Sequence, residues 1–319
     1  MGTREEIEQQ TSDSLLGYIE DRYHIIGLVG IVVAMFAMRI QTYSNFIRDG
    51  EVFFSGNDAW YHFREVVYIT EHWPTPIPFD PWTGFPTGQW VGQFGTLYDQ
   101  VIATIALIIG LGSPSEALIG KVLLIAPAVA GALTAIPVYI VGKRLSGRLG
   151  GLLGATVLLL LPGTFLRRTL VGVADHNAVE PLVMMLAVAG FVIAFQKASE
   201  SMPIWEVVYE ELITEQQLDS LTDPLKWSLL AGFSLGIYIW TWPPAVFFIG
   251  IIGLFTLIKL TSDVLHEQTP EPTAFVVATS MLVVAFMSLI AIDRIQFDTI
   301  ALSLLQPLAA TVVALEAIG

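Results

Sequence analysis

Cysteine is absent from these 319 residues, so disulfide staples and thiolate metal sites are both excluded. Any metal must be held by carboxylate, imidazole, amide or water, a donor set that favours hard cations such as Mg2+ or Mn2+. Charge is scarce too. Charged residues make up 14% of the chain, against about a quarter in a soluble domain, and 54% of it is hydrophobic. That excludes a water-soluble globule, and the fold class read is an all-α, polytopic bundle of transmembrane helices. Basic residues are the scarcest charges: 15 Lys and Arg stand against 29 Asp and Glu, for a net charge of −14. This balance suits a surface kept hydrated in concentrated salt, as in a halophile, and gives no expectation of a nucleic-acid partner. One acidic loop dominating the count would produce it as well. The sequence shows no Ser-His-Asp elbow, P-loop, zinc signature or internal repeat. Residues 1–14 lack the basic start and cleavage site of a secretory signal, so the first apolar segment reads as a retained helix.

What is abundant is apolar sequence in lengths that suit a bilayer, which takes about 20 residues to cross. Eight such stretches occur, at 24–43, 119–142, 148–165, 178–196, 227–242, 244–260, 273–291 and 298–317. A further run, 101–111, is too short to cross and reads as interfacial. The short basic loop 143–148 belongs on the cytoplasmic side and sets the orientation. Counting from it, 1–23 form a cytoplasmic N-terminal segment and 24–319 a transmembrane domain. Within that domain, 44–118 form a long first external loop, 166–177 a second external loop and 197–226 an acidic cytoplasmic loop. In the acidic loop, Trp205, Val208 and Leu212 fall on one face of an amphipathic helix. The stretch 240–244 reads as a tight external turn carrying an interfacial aromatic belt.

Two polar motifs interrupt this apolar background. The first is Gly56-Asn57-Asp58-Ala59-Trp60-Tyr61-His62-Phe63-Arg64, and the second runs from Arg167 to Asp175-His176-Asn177. Charge beside a bilayer is costly, which marks such groups as functional by default. The orientation puts both motifs outside, where together they can build one metal and phosphate site. Asp58 opens a helix read over 58–70. A plain helix cap accounts equally well for that aspartate. On the same plain account Trp60 and Tyr61 are interface anchors and His62 and Arg64 surface residues, beside the functional reading of the motif's acid, His and Arg. Asp175 and Asn177 offer oxygen ligands just before helix 178–196, and capping again is the simpler account of either. His176 can take phosphate or metal at that positive helix end. Glu180, one turn on, reads as a first-turn acid. Arg168 suits bidentate binding of carboxylate or phosphate, and Arg167 reads as a snorkelling residue. Between the motifs, the aromatic and Pro-rich stretch 72–100 reads as a rigid loop that can stack on sugars or sit among headgroups.

Taken together, Asp58-Ala59-Trp60-Tyr61-His62-Phe63-Arg64, Phe79-Asp80-Pro81-Trp82 with Phe85-Pro86-Thr87-Gly88, and Arg168 through Asp175-His176-Asn177 resemble the catalytic subunit of archaeal oligosaccharyltransferases. These are membrane glycosyltransferases of the GT-C class, and the acidic composition is similar to the haloarchaeal branch. The likeness runs through essentially the whole chain and is most specific over 53–182. It implies transfer of a glycan from a dolichol-phosphate-linked donor to Asn of an Asn-X-Ser/Thr sequon, at the outer face of the cell membrane. The cofactor implied is Mg2+ or Mn2+. The partners implied are the dolichol-phosphate-linked oligosaccharide, an acceptor polypeptide carrying the sequon, and membrane lipid. By resemblance, Asp58 and Arg168 are catalytic, Asp58, Asp175 and Asn177 hold the metal, and His176 contacts the donor phosphate. Two positions depart from the pattern. Asn177 stands where Asp, Glu or His is usual and adds no charge, and Gln93 stands where some relatives place a phosphate-binding His. The resemblance also implies a later external loop with another acidic ligand and a C-terminal globular domain with a Trp-Trp-Asp motif. Neither is found in this sequence, so the expectation is an N-terminal membrane fragment, inactive alone. Two other readings stand beside this one. Another dolichol-phosphate-dependent GT-C transferase would differ in its acceptor, and a non-catalytic lipid-binding or transport protein would carry polar residues in mid-membrane.

Overall fold

A computed structural model describes residues 4–200 and 221–319, with 206, 208 and 209 between them. Side chains before Asp21, and those of Gln93 and Glu200, lie outside that description, as do Trp205 and Leu212 of the amphipathic face expected in the acidic loop.

The described residues fold as helices plus two short β-hairpins, β1 (Ile47–Arg48) with β2 (Glu51–Val52) and β3 (Phe79–Asp80) with β4 (Gln89–Trp90). Five stretches among them are helical, long and apolar enough to cross a membrane: Asp21–Ile40, Glu116–Leu160, Glu180–Ser199, Pro243–Leu265 and Glu271–Ile290. The protein is a multi-pass membrane protein. Its first helix, α1 (Arg4–Ile40), begins well before the apolar stretch it contains.

The stretch Glu116–Leu160 holds two of the expected spans. Helix α4 (Glu116–Leu133) runs through Thr134, which keeps helical dihedrals and whose hydroxyl donates back to the Ala130 carbonyl at 2.8 Å, and continues as α5 (Ala135–Leu160). Inside α5, Ser146 and Gly147 leave helical geometry and the chain folds back on itself. The two arms meet at glycines: a Cβ on Gly142 would lie 2.7 Å from the Gly150 carbonyl oxygen. Helix pairs in lipid approach through such small residues. The basic loop 143–148 is therefore a hairpin tip, where Arg148 meets Asp21 at 3.2 Å. At the far end of α1, the fully buried Arg39 donates from Nε to Thr169 Oγ1 at 2.8 Å, and its carbonyl accepts from Val171 N at 3.0 Å. The hairpin tip and the second polar motif thus lie at opposite ends of the bundle.

Three expected spans differ. The span 148–165 stops at Leu160 because Pro162 follows; a short helix α6 (Thr164–Arg168) comes after it. The span 227–242 is helix α8 (Thr222–Thr241), which begins with Asp223 and Lys226 and falls outside the five apolar stretches. The last, 298–317, is helical only as α11 (Leu305–Ile318), about 21 Å at 1.5 Å per residue. Its first residues are held in a turn instead: Ser303 Oγ donates to the Asp298 carbonyl at 2.8 Å and accepts from Asp298 N at 3.2 Å. The run 101–111 falls largely in the short apolar helix α3 (Leu97–Ile109), which is shorter than the five membrane-length stretches.

The largest apolar cluster joins α7 (Glu180–Glu200), α8, α9 (Val246–Leu265), α10 (Glu271–Ile290) and α11. A second cluster lies beneath the site and joins α2 (Asp58–His72) to α3 and α4 through Ala59, Val66, Ile69, Ile102 and Leu123. Helix α2 is amphipathic, and its buried face reads Ala59, His62, Val66, Ile69 at the helical period.

Candidate functional site

Asp58 and His62 are four residues apart on α2 and therefore share a face. Both line an open cavity of about 750 Å3, together with Tyr61, Asp99, His176 and Trp242. The two polar motifs meet there. A backbone bond ties them, with Ser55 N donating to the Gly172 carbonyl at 2.9 Å. A side chain ties them again: His62 Nε2 lies 3.4 Å from Asp175 Oδ1 and 3.2 Å from His176 Nδ1.

The plain account of the motif puts His62 at the surface. It is 3% exposed, because the packing of α2 against α3 and α4 covers that face. Its Nδ1 lies 2.7 Å from Oδ1 of Asp99, itself 1% exposed at the start of α3. Burial alone would lower the His62 pKa, but Asp99 and Asp175 outweigh it and raise it to about 10. Burial pushes Asp175 the other way, upward, yet His176 and His62 hold its carboxyl well below the usual range.

Asp175 does more than cap. It caps the 3-10 turn His176–Ala178, accepting from Asn177 N at 3.2 Å, and its Oδ1 lies 2.9 Å from His176 Nδ1. Glu180 is more than a first-turn acid, since its Oε1 lies 3.5 Å from His176 Nε2. One atom each from His62, Asp175 and His176 fall within 4.8 Å of one another, so these three residues can hold a metal ion. The Asn177 carbonyl accepts from Arg168 Nη1 and its amide donates to Asp175 Oδ2, so Arg168 reaches Asp175 through Asn177. Asp58 is exposed in the cavity and is not part of the compact cluster.

Beside the cluster, Arg64 also leaves the surface role that the plain account gives it. It binds the buried Asp80 at 2.6 Å, and Asp80 in turn accepts from Trp82 N at 3.0 Å and Thr83 Oγ1 at 2.6 Å. Burial raises the Asp80 pKa, but Arg64, Thr83 and Trp82 outweigh it and the net shift is downward. This holds the loop bearing Trp82 against α2. Trp242, expected in an interfacial belt, lines the cavity.

Glu65 is fully buried, with Oε2 accepting from Ile77 N at 3.2 Å and Oε1 without a partner. Burial, then Asp99, push its pKa up to about 8. The folded state therefore binds this proton more tightly than the unfolded chain, and stability falls as pH rises from the ordinary glutamate value to about 8. Glu65→Gln keeps the Ile77 contact and removes that loss. Melting curves in detergent are expected to show the variant gaining on the parent between pH 5 and pH 8, by on the order of 1–2 kcal/mol. A constant difference across that range would contradict the burial argument.

The family model for the N-terminal part of oligosaccharyl transferase STT3 matches residues 23–317. The chain belongs to the STT3 family. Within it, the chain is 52% identical over 313 residues to the dolichyl-monophosphooligosaccharide–protein glycotransferase AglB of Haloferax volcanii, covering 98% of this chain and 29% of that one. The same STT3 fold is present in the archaeal oligosaccharyltransferase AglB of Archaeoglobus fulgidus, solved with an inhibitory peptide and a dolichol-phosphate. That match has 24% identity and a TM-score of 0.79, over 94% of this chain and 33% of that one. A structure of the A. fulgidus enzyme with Zn and sulfate matches at 25% identity and a TM-score of 0.76, covering 92% of this chain and 34% of that one. The chain therefore spans about a third or less of these STT3 relatives.

Proposed function

We propose that this chain supplies the membrane-embedded half of an oligosaccharyltransferase active site, which passes a glycan from a dolichol-phosphate-linked donor to the Asn of an Asn-X-Ser/Thr sequon. The observation that carries this reading is the meeting of Asp58, His62 and His176 at one cavity, with Asp175 against both histidines. The names of the relatives support it: one is a dolichyl-monophosphooligosaccharide–protein glycotransferase, and another was solved with peptide and dolichol-phosphate. The site faces outward, and the N-terminus and the basic hairpin tip face the cytoplasm.

The acceptor amide is a weak nucleophile because its lone pair is delocalised. Asp58, exposed in the cavity, accepts an N–H of that amide and weakens the conjugation. The amide nitrogen then attacks the anomeric carbon from the face opposite the phosphate oxygen, the C–O bond breaks with its electrons going to the phosphate, the centre inverts, and the amide proton passes to the Asp58 carboxylate. His176 and Arg168 offer donors to the departing phosphate, where negative charge grows. Trp242 and Tyr61 wall the cavity and restrict water. A divalent cation fits the donor set of His62, Asp175 and His176, with Asp58 close at hand. Such an ion, when bound, neutralises phosphate charge and polarises the bond that breaks.

The test is transfer to a fluorescent Asn-X-Thr peptide from a dolichol-phosphate-linked glycan, by the chain joined to the segments that its longer relatives carry. Asp58→Ala is expected to lower kcat by about a hundredfold or more with little change in melting temperature. Undiminished transfer by that variant would reject the assignment.

A further inference from the structure

We infer that His62 is a nitrogen ligand of the bound cation, and that Asp99 is the positioning residue that turns it there. The inference rests on reading the cluster as the enzyme's cation site. Its warrant is the arrangement of three atoms. His62 Nε2, Asp175 Oδ1 and His176 Nδ1 are separated pairwise by 3.4, 2.9 and 3.2 Å. Ligand bonds of about 2.1 Å to one ion put neighbouring donor atoms roughly 3.0–3.4 Å apart, in octahedral or tetrahedral geometry. The triangle already has that size.

Asp99 explains why His62 points its free nitrogen into it. A carboxylate oxygen only accepts, so the Nδ1 facing Asp99 at 2.7 Å carries the hydrogen. A bound cation takes the place of the proton that the metal-free ring holds on Nε2, and the lone pair freed there faces Asp175 and His176. Metal-binding imidazoles are commonly fixed this way by a carboxylate behind them. Glu180 Oε1 lies 3.5 Å from His176 Nε2, near enough for an ionic contact but without a hydrogen bond, so that nitrogen stays open to the cavity. The two ring nitrogens facing each other also need something between them, a shared proton or a shared cation. A buried histidine satisfied by Asp99 alone would not bring a second imidazole and a carboxylate to its other nitrogen.

The donor set has a consequence for the metal. Two imidazoles and one carboxylate favour Mn2+, Co2+ or Zn2+ over Mg2+, which prefers oxygen. This narrows the Mg2+ or Mn2+ expected from the absence of cysteine.

The experiment is a Co2+ titration of the chelator-treated chain in detergent, followed by visible absorption and calorimetry. Parent, His62→Gln and Asp99→Asn are compared, and the parent loaded with Mn2+ is examined by pulsed EPR for 14N couplings. The parent is expected to bind one Co2+ and to resist equimolar Mg2+. His62→Gln is expected to weaken Co2+ by at least about tenfold, move its absorption bands and narrow the preference over Mg2+. Asp99→Asn, which leaves the imidazole in place, is expected to weaken Co2+ by about tenfold to a hundredfold. The Mn2+ spectrum is expected to show two imidazole nitrogens, a result that needs no variant to fold. One imidazole nitrogen, or Co2+ binding that His62→Gln leaves unchanged, overturns the inference and leaves the proposed function standing. No Co2+ binding by the parent overturns the cation reading as well.

Discussion

Replacing Asp175 is expected to remove glycan transfer almost entirely, by about a thousandfold. No other residue in the site is held from so many sides. His62 and His176 approach its Oδ1 at 3.4 and 2.9 Å, Asn177 N donates to it at 3.2 Å, and the Asn177 amide donates to Oδ2. The imidazoles keep the carboxylate ionised at any physiological pH. Its negative charge is what the two histidines gather around. Asp175→Asn separates charge from shape, because the amide can still cap the turn before α7. The expected result is the same loss of transfer with a small change in melting temperature, whereas Asp175→Ala loses the cap too, at a further cost of about 1 kcal/mol. A variant Asp175→Asn that kept more than about a tenth of the parental rate would show that charge at this position is not required.

The second large effect lies away from any polar side chain. Gly172 has φ of +94°, and a Cβ on it would sit 2.3 Å from Cζ of Phe46. Its carbonyl accepts from Ser55 N at 2.9 Å, and its N–H donates to the Leu124 carbonyl at 3.4 Å. One glycine therefore sets the approach of the second motif to the first. Gly172→Ala is expected to cost about 2–4 kcal/mol and to lower transfer severely, although Asp58 and Asp175 are untouched. The clash and the backbone strain are separable. In a Phe46→Ala background the clash is gone, and the penalty is expected to shrink to the roughly 1 kcal/mol of a non-glycine residue at positive φ. Melting temperatures of the four proteins in that cycle give the answer, and equal penalties in both backgrounds would refute the steric account.

Much of the site was legible in the sequence. Asp58, Arg168, Asp175, His176 and Asn177 were singled out, and the structure brings all of them to one end of the bundle. Their partners were less visible. His62 occupies a position that the helical pattern of Ala59, Val66 and Ile69 assigns to the buried face, and a titratable group on such a face was the signal available for it. Asp99 gave none, since it opens a helix 37 residues further on and read only as the border of an apolar run. Asn177 completes the motif, and the structure adds that its side chain links Arg168 to Asp175, a link that the spacing of the three residues did not reveal. Trp242 read as part of an interfacial belt, and its place in the cavity wall was not visible in the sequence because the other wall comes from residues far along the chain. The span 298–317 failed because hydropathy does not register the hydrogen bonds of Asp298 and Ser303.

The sequence by itself determined that the chain crosses a membrane as helices, because an apolar stretch in lipid must satisfy its own backbone groups. It also determined which chemistry is available: carboxylate, imidazole and guanidinium without thiolate. Only the tertiary structure decided which atoms meet. His62 and His176 are 114 residues apart, and nothing local brings them to 3.2 Å. Their contact depends on how α2 packs on α3 and α4, and on how Arg39 and Ser55 hold the second loop. Those are arrangements of rigid elements, set by burial and by hydrogen bonds that close only once the bundle has assembled.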